Sequence, residues 1–380
     1  MRINQATISE REGIRSTFVE VDLSRIVANL EAIRRRVAPA RVMPILKANA
    51  YGHGMLEVAR RLAPVVDYLG VAVLEEGILL RESGIQTPIL ILGGIWGDQI
   101  PQYLKYNLAL TASSIERLEQ VDSLAGQLKV KARVHLKIDT GMERIGVHYY
   151  NAEALQAAAL KCSHLEIEGI FSHFANADRS DLTHARLQLE RFQEVLRFYE
   201  RRSLPLPVRH IANSAAVLQL PESNFDMVRP GILMYGVYPS SEVSHTVAVL
   251  PALAWKSRVV YFKVVKPGHP VSYGSTWESD HLVRVVTVPV GYGDGYFRSM
   301  SNKASVLLHG IRYPQVGVIC MDQLMVNIEW DSAYNGDEVL LIGESGGQRI
   351  TVEDLADWAA TSPYEILTNI NTRVPRVYIG

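Results

Sequence analysis

The feature that most constrains the fold of this chain is a regular alternation of short apolar runs with longer amphipathic stretches between Val42 and Gly236. The amphipathic stretches have helical spacing, as where Leu189, Phe192 and Leu196 recur every three or four residues. The eight apolar runs are Met43–Leu46, Leu69–Leu74, Pro88–Leu92, Leu108–Thr111, Ala132–Ile138, Ile167–Ser172, Val208–Ile211 and Phe225–Val228. Eight strand–helix units in about 200 residues favour a closed (β/α)₈ barrel over its rival, an open doubly wound sheet.

The pattern changes after about residue 245. Short strand-like runs are separated there by turn signals such as Pro267-Gly268, and the next long helical pattern is Val352–Ala360. These runs are Val259–Val265, Val283–Val290, Ala304–Leu308, Gln315–Ile319 and Val339–Ile342. We therefore predict an α/β fold with a (β/α)₈ TIM barrel over residues 1–244 and a mostly β domain over residues 245–380. A strand–helix unit, Phe18–Asp22 then Leu23–Val37, precedes the eight runs.

Charge and cysteine content exclude several classes of function. The formal net charge is -1 and no stretch is dominated by one sign, so we expect no nucleic-acid partner. The apolar runs are shorter than the roughly 18 residues of a membrane span, and Met1–Arg15 lacks the apolar core of a signal peptide. Cys162 and Cys320 form neither a CxxC pair nor a ligand cluster. The sequence thus predicts a cytoplasmic protein with a small-molecule substrate and no metal.

Several polar residues fall at the ends of the apolar runs, where barrels of this kind carry their active sites. They are Lys47 after the first run, Arg144 after the fifth, His173 after the sixth, Asn213 and Ser214 after the seventh, and Arg229 after the eighth. Any one of them alone is more typical of a solvated or structural residue. Their convergence on one end of a barrel indicates a site.

Lys47 is the candidate nucleophile of that site. A lysine in a partly apolar barrel mouth loses its proton more readily and can attack a carbonyl group. This chemistry is compatible with an aldolase-like reaction or with pyridoxal phosphate. The stretch Arg229-Pro230-Gly231-Ile232 and the hydroxyl of Ser214 could hold a phosphate at the loops after strands seven and eight, although an ordinary Pro-Gly turn is the alternative.

Around these residues the chain resembles the alanine racemase family over nearly its whole length. The segment Val-Met-Pro-Ile-Leu-Lys-Ala-Asn-Ala-Tyr-Gly-His-Gly is similar to that family's cofactor-attachment motif. Later motifs follow in the family's order: His-Leu-Lys-Ile-Asp-Thr-Gly-Met, Phe-Ser-His-Phe-Ala, Ala-Asn-Ser-Ala, Val-Arg-Pro-Gly-Ile, Val-Ser-Tyr-Gly-Ser-Thr-Trp, Gly-Tyr-Gly-Asp-Gly-Tyr, Cys-Met-Asp-Gln and Ser-Pro-Tyr-Glu.

The resemblance implies a role for each matching residue. Lys47 and Tyr273 are the two catalytic acid/base residues, and Tyr273 comes from a partner subunit. The residues that contact pyridoxal 5'-phosphate are Lys47, Tyr51, His173, Asn213, Ser214, Arg229, Gly231, Ile232 and Tyr364. The remaining residues are Arg144 and Met321 at the substrate carboxylate, Tyr292 and Asp322 at the entrance, and Lys137 as a lysine that can be carbamylated.

The implied activity is the pyridoxal-phosphate-dependent interconversion of L-alanine and D-alanine by a homodimer with shared active sites, supplying D-alanine for peptidoglycan. Three other functions were weighed. An amino-acid decarboxylase of the same plan has a carboxylate at the pyridine nitrogen, where this chain offers Arg229. A pyridoxal-phosphate carrier resembles the barrel alone, and a silent scaffold does not need both Lys47 and Tyr273.

Overall fold

The computed structural model describes residues 15–380, so the expected absence of a signal peptide before Arg15 falls outside the described residues. The described chain divides into two compact units. The barrel unit comprises Ile26–Ala50 and Met55–Val249. The β unit comprises the described residues up to Arg25, together with Tyr51–Gly54 and Leu250–Gly380. Among residues 15–380, no helix combines the length and the apolar character that a membrane crossing requires.

The first elements of the described chain are strand β1 (Phe18–Asp22) and helix α1 (Leu23–Val37). Ile26, Leu30 and Ile33 give α1 a buried apolar stripe at helical spacing. Three arginines occupy its last turn, where cations interact favourably with the helix dipole.

The barrel unit is built on short strands that run parallel to one another. They are β2 (Arg41–Val42), β3 (Leu69–Val71), β4 (Ile89–Ile91), β5 (Leu110–Ala112), β6 (Ala132–Asp139), β7 (Val147–His148), β8 (Leu165–Phe171), β9 (Val208–His210) and β10 (Met227–Val228). Strands β3, β4 and β5 are buried along their full length, as expected where both faces of a parallel sheet are covered.

The eight principal strands close into a ring, with β7 pairing only with β6. Regular ladders join β3 to β4, β5 to β6, β6 to β8, β8 to β9, and β10 back to β2. Isolated parallel bridges complete the ring, and they are Ile45↔Gly70, Leu90↔Ala109 and Asn213↔Arg229. The predicted (β/α)₈ barrel is therefore confirmed.

Helices connect the barrel strands. They are α2 (Met55–Leu62), α3 (Leu74–Glu82), α4 (Ile100–Lys105), α5 (Ile115–Gln127), α6 (Ala152–Ala159), α7 (Thr183–Arg201) and α8 (Ser214–Gln219). Helix α7 buries Leu189, Phe192, Leu196 and Tyr199, which confirms the helix predicted from their spacing.

The β unit contains a ten-stranded sheet and two helices, which precede the last strand of the sheet in the chain. Its later elements are β11 (Leu253–Arg258), β12 (Tyr261–Val265), β13 (Val283–Val288), β14 (Ser305–Leu308), β15 (Ile311–Val316), β16 (Leu324–Asn327), β17 (Glu338–Ser345), β18 (Gln348–Ile350), α9 (Val352–Ala359), α10 (Pro363–Asn369) and β19 (Arg376–Ile379). The strand order is β12-β13-β16-β15-β14-β17-β11-β1-β19, with β18 beside β17. Strand β1 thus belongs to this sheet, antiparallel to β11 and parallel to β19.

The mostly β character of the C-terminal half is confirmed, although individual strands differ from their predicted positions. The strand predicted at Gln315–Ile319 occupies Ile311–Val316 instead and ends where Gly317 adopts a φ angle of 72°. The first residues of this strand are polar or exposed, because only one face of the strand packs against the rest of the unit. The apolar pattern in the sequence is therefore weaker there. Strands β11, β16, β18 and β19 were not predicted.

Candidate active site

Lys47 follows the first barrel strand and begins a left-handed turn. The next three residues have φ angles between 53° and 55°, a conformation that costs roughly 1–2 kcal/mol for each residue other than glycine. Two side chains hold the turn: Glu76 Oε1 accepts from the Ala48 N–H at 2.6 Å, and Asn49 Oδ1 accepts from the Met55 N–H at 2.8 Å. The backbone that carries the lysine is therefore fixed by specific hydrogen bonds.

The charge state of Lys47 is set by its surroundings. Burial lowers the pKa of the amine, and Arg144 and Arg229 lower it further, while Glu76 acts in the opposite direction. A lowered pKa increases the fraction of neutral amine at neutral pH. Because the neutral form is both the nucleophile and the base, the barrel favours the chemistry expected of this lysine.

Arg229 follows the eighth barrel strand and is 4% exposed. Its Nη1 donates to His210 Nδ1 at 2.8 Å and to the His210 carbonyl at 2.9 Å. Its Nη2 donates to the carbonyls of Ser172 (2.7 Å) and Ile211 (3.1 Å) and lies 3.1 Å from His173 Nδ1. Burial lowers the pKa of Arg229 to about 9, which leaves the guanidinium charged at neutral pH. Its Nε has no hydrogen-bond acceptor among residues 15–380.

His173 lies beside Arg229 at the end of the sixth barrel strand. Burial and then the charge of Arg229 hold the pKa of the imidazole well below its usual range, so the ring is neutral. A guanidinium only donates, so His173 Nδ1 must accept from Arg229 Nη2. The ring proton is then on Nε2, and His173 presents an N–H donor on the side away from the arginine.

Lys137 and Arg144 come from β6 and the loop that follows it. Lys137 is 4% exposed, and its Nζ donates to the Ile138 carbonyl at 3.1 Å. Burial, followed by the charge of Arg229, lowers the pKa of the Lys137 amine to about 7. Asp139 shapes the loop, because its carboxylate accepts from three backbone N–H groups, including that of Arg144 at 3.2 Å.

The loops after the seventh and eighth barrel strands meet at Ser214. Its buried Oγ accepts from the N–H of Gly231 at 2.8 Å and of Leu233 at 3.3 Å. Asn213 caps α8 by accepting from the Ala216 N–H at 3.0 Å. Ser214 and Ile232 each begin a short helical segment, where N–H groups have no partner within the helix.

The other predicted residues lie in the β unit. Hydrogen bonds from Tyr292 N to the Cys320 carbonyl (3.0 Å) and from Gly293 N to the Met321 carbonyl (2.9 Å) join the two predicted entrance segments. Asp322 follows in the second segment and pairs with Arg373. The remaining three residues are Tyr51 and Tyr364, whose ring centroids are 6.1 Å apart, and Tyr273, which is 70% exposed.

The barrel unit thus brings together Lys47, Lys137, His173 and Arg229, because the charge of Arg229 lowers the pKa of each of the other three. Sequence reasoning missed two further buried histidines in the same unit, His135 and His210. His135 could have been found from the alternation of side chains along a strand, because it precedes Lys137 by two residues and so lies on the same face of β6.

Comparisons with known proteins agree with this architecture. The family model "Alanine racemase, N-terminal domain" matches residues 21–239, and "Alanine racemase, C-terminal domain" matches residues 252–378. A protein named alanine racemase from Carboxydothermus hydrogenoformans is 45% identical over 369 residues, covering 96% of this chain and 100% of the relative.

Solved structures give the same result. The alanine racemase of Clostridium difficile 630 superposes with a TM-score of 0.90 at 36% identity, covering 96% of each chain. The alanine racemase of Bacillus anthracis with bound L-Ala-P superposes with a TM-score of 0.90 at 33% identity, covering 97% of this chain and 96% of the other. The fold, the polar strand ends and these matches define an isomerase, an amino-acid racemase. Within that class, the chain belongs to the alanine racemase family.

Proposed function

We propose that this protein interconverts L-alanine and D-alanine with pyridoxal 5'-phosphate and a pair of bases, Lys47 and Tyr273. The observation that carries the proposal is the environment of Arg229. Five hydrogen bonds to protein groups at 2.7–3.1 Å hold both its Nη atoms, and Nε is left to donate to a bound group. A charged arginine opposite a pyridine nitrogen suits a racemase, whereas the decarboxylase alternative needs a carboxylate there.

The barrel residues fit the chemical groups of the cofactor. Lys47 would attach its aldehyde carbon, and Arg229 Nε would donate to its ring nitrogen. Ser214 and Ile232, which begin helical segments beside Gly231, would hold its phosphate with N–H groups and a hydroxyl. When bound, the cofactor supplies an electron sink that makes the α-proton of the amino acid removable.

Tyr51 and Tyr364 would add further phosphate contacts, and Asn213 caps the helix that begins at Ser214. These roles rest on the position of each residue within motifs similar to those of the family. Tyrosine hydroxyls are suitable donors to a phosphate.

Inversion at Cα requires one group to remove a proton on one face and another to return a proton on the opposite face. Lys47 suits the first role because burial lowers the pKa of its amine. Tyr273 of the partner subunit would serve the other face. A phenol titrates near pH 10 in water, so its ionised form needs support. His173 would give that support, because its Nε2 carries the proton when Nδ1 accepts from Arg229.

Arg144 and the partner subunit's Met321 would orient the substrate carboxylate, and Tyr292 and Asp322 would line the entrance. We further propose that Lys137 is carbamylated. The buried amine has a pKa of about 7, so much of it is neutral and can add to carbon dioxide with release of one proton. The resulting negative charge would orient Arg144.

A homodimer would supply Tyr273 and Met321 to each site. The exposed side chains of β12, an edge strand, support this proposal. Tyr261, Phe262 and Val264 are 56%, 45% and 48% exposed. Large apolar side chains clustered on an edge strand are a liability unless a second chain covers them.

The decisive experiment incubates the purified protein and pyridoxal phosphate with L-alanine in heavy water. We expect D-alanine with deuterium at Cα. Lys47→Ala and Tyr273→Phe should each lower kcat by at least about 100-fold, the lower end of general acid–base contributions. Release of carbon dioxide without D-alanine would instead identify a decarboxylase.

The proposed physiological role is the supply of D-alanine for peptidoglycan. Expression of the gene should restore growth of a bacterium that requires D-alanine, and the Lys47→Ala variant serves as the matched control. Growth restored equally by both would refute this role.

A further inference from the structure

A row of buried polar side chains runs through the barrel unit from Arg229 to Glu168. Arg229 Nη1 lies 2.8 Å from His210 Nδ1, and His210 Nε2 lies 2.8 Å from His135 Nδ1. His135 Nε2 lies 3.6 Å from Glu168 Oε2. The two histidines, which we call the histidine pair, are at most 1% exposed. The row connects a residue of the proposed site to a carboxylate outside it.

The strands are shaped to hold this pair. The register between β6 and β8 shifts immediately before His135, which places that ring over Gly169. A Cβ atom at Gly169 would lie 2.2 Å from His135 Nδ1, which is too short for two atoms that are not bonded. The position of the ring therefore depends on a glycine and on an irregular ladder, both of which weaken a strand when nothing requires them.

The donors and acceptors of the row favour one arrangement of protons over its reverse. Burial lowers the pKa of His135 although Glu168 acts in the opposite direction, and burial and Arg229 hold the pKa of His210 well below its usual range. Both rings are therefore neutral, with one donor and one acceptor each. Arg229 can only donate, so His210 accepts at Nδ1 and carries its proton on Nε2. His210 then donates to His135 Nδ1, and His135 carries its proton on Nε2.

Glu168 lies at the end of the row opposite Arg229, beside His135. Burial opposes ionisation of this carboxyl, but the hydrogen bonds from Arg133 and Tyr68 and the nearby His135 ring outweigh it and lower the pKa to about 2. Arg133 Nε donates at 2.7 Å and the Tyr68 hydroxyl at 2.6 Å. His135 Nε2 is buried without a hydrogen-bond partner among the described residues, and it lies 3.6 Å from Oε2 of this carboxylate. Glu168 is thus a permanent anion that favours a proton on His135 Nε2.

We propose that Glu168 is a positioning residue of the racemase site, which acts through the histidine pair. By fixing the tautomer of His135, it fixes that of His210, and an unprotonated Nδ1 is always available to accept from Arg229. With both tautomers reversed, His210 would present an N–H to the guanidinium, and two donors would face each other. The inference rests on the proposed function for its catalytic consequence but not for the tautomers themselves.

The first test needs no variant and no cofactor. Nitrogen-15 NMR of the cofactor-free protein, labelled at histidine, reports which ring nitrogen carries the proton. We expect His135 and His210 to be neutral with the proton on Nε2. A proton on Nδ1 of His210, or a charged ring at either position, would overturn the proposal.

The second test removes the anion. In Glu168→Gln, an amide can offer either a donor or an acceptor to His135, so we expect a mixture of tautomers in both rings. We expect weaker binding of pyridoxal phosphate to the cofactor-free protein, measured by absorbance titration. We also expect kcat to fall about 10- to 100-fold, the range known for outer-shell partners of metal-bound histidines, while KM for alanine stays near that of the wild type.

Glu166→Gln is the matched control, because Glu166 is an exposed carboxylate on the same strand and has no hydrogen bond to the row. It should leave tautomers, cofactor affinity and kcat unchanged. Loss of activity in Glu168→Gln with wild-type tautomers and cofactor affinity would refute the positioning role. If the wild-type tautomers are as expected but alanine is not racemised, the proposed function fails while the arrangement of protons stands.

Discussion

At the scale of single residues, this barrel unit is unusual in gathering cations. Lys47, Lys137 and Arg229 lie in the barrel unit, and burial lowers the pKa of each. Arg229 is hydrogen-bonded to carbonyls and keeps its charge, and that charge helps to lower the pKa of both lysines. One permanent cation thus helps to provide two neutral amines.

Lys137 should make folding stability depend on pH. An unfolded lysine keeps its proton up to about pH 10.4, whereas the folded one loses it near pH 7. Between these values the unfolded state binds more protons, so the free energy of unfolding should rise with pH. In carbon-dioxide-free buffer, Lys137→Met should flatten this rise, measured by urea denaturation from pH 7 to 10.

The control for that prediction is Lys161→Met, which changes an exposed lysine on the same unit and should retain the wild-type slope. An identical pH dependence in Lys137→Met and the wild type would contradict the prediction.

The strand-end residues could be found in the sequence, because a charged or polar residue closing an apolar run is visible without coordinates. The contact between the two residues of the histidine pair could not be found in the sequence. The contact between His135 and His210 depends on the register of β6, β8 and β9, including one irregularity, and no local pattern specifies it. An isolated buried histidine also has an ordinary structural interpretation, which the sequence alone does not override.

At the scale of elements, the buried carboxylate of Asp294 connects the two entrance segments of the β unit, those of Tyr292 and Asp322, through Arg373. Asp294 is fully buried and accepts from Arg15 at 2.5 Å, from Arg373 Nε at 2.7 Å and from the Gly291 N–H at 3.0 Å. Arg373 in turn pairs with Asp322. Asp294 therefore ties together two segments distant in sequence and a third from the chain's N-terminal part.

Asp294→Asn should destabilise the protein by about 3 kcal/mol, because two arginines lose the buried anion that they share. Asp322→Asn is the comparison: it changes a partner of the same arginine, but one that is 61% exposed, so the expected loss is below about 1 kcal/mol. Urea unfolding of both variants measures the difference, and equal losses would argue against this account.

At the scale of the whole molecule, the first described strand is paired with the last. Strand β1 lies between β11 and β19 in the sheet of the β unit, with Val19 and Val21 fully buried. Periodicity predicted the barrel because its strands follow one another along the chain. It did not predict the partners of β1, because that pairing joins residues more than 200 positions apart and leaves no local trace.

Val19→Ala should therefore weaken distant strands. We expect a loss of about 2 kcal/mol from the missing apolar burial. Hydrogen exchange should accelerate at Leu253–Arg258 and Arg376–Ile379 more than in the barrel strands. Faster exchange confined to residues near position 19 would contradict this expectation.

The pairing of β1 with β19 also has a consequence for the newborn chain. Synthesis proceeds at roughly 5–20 residues per second, so the partner of β1 leaves the ribosome tens of seconds after β1 itself. During that interval the barrel residues, which lie between the two strands in sequence, have already been made. The β sheet is then finished only after Arg376–Ile379 has been made, and its earliest strand must remain without this neighbour until that segment leaves the ribosome.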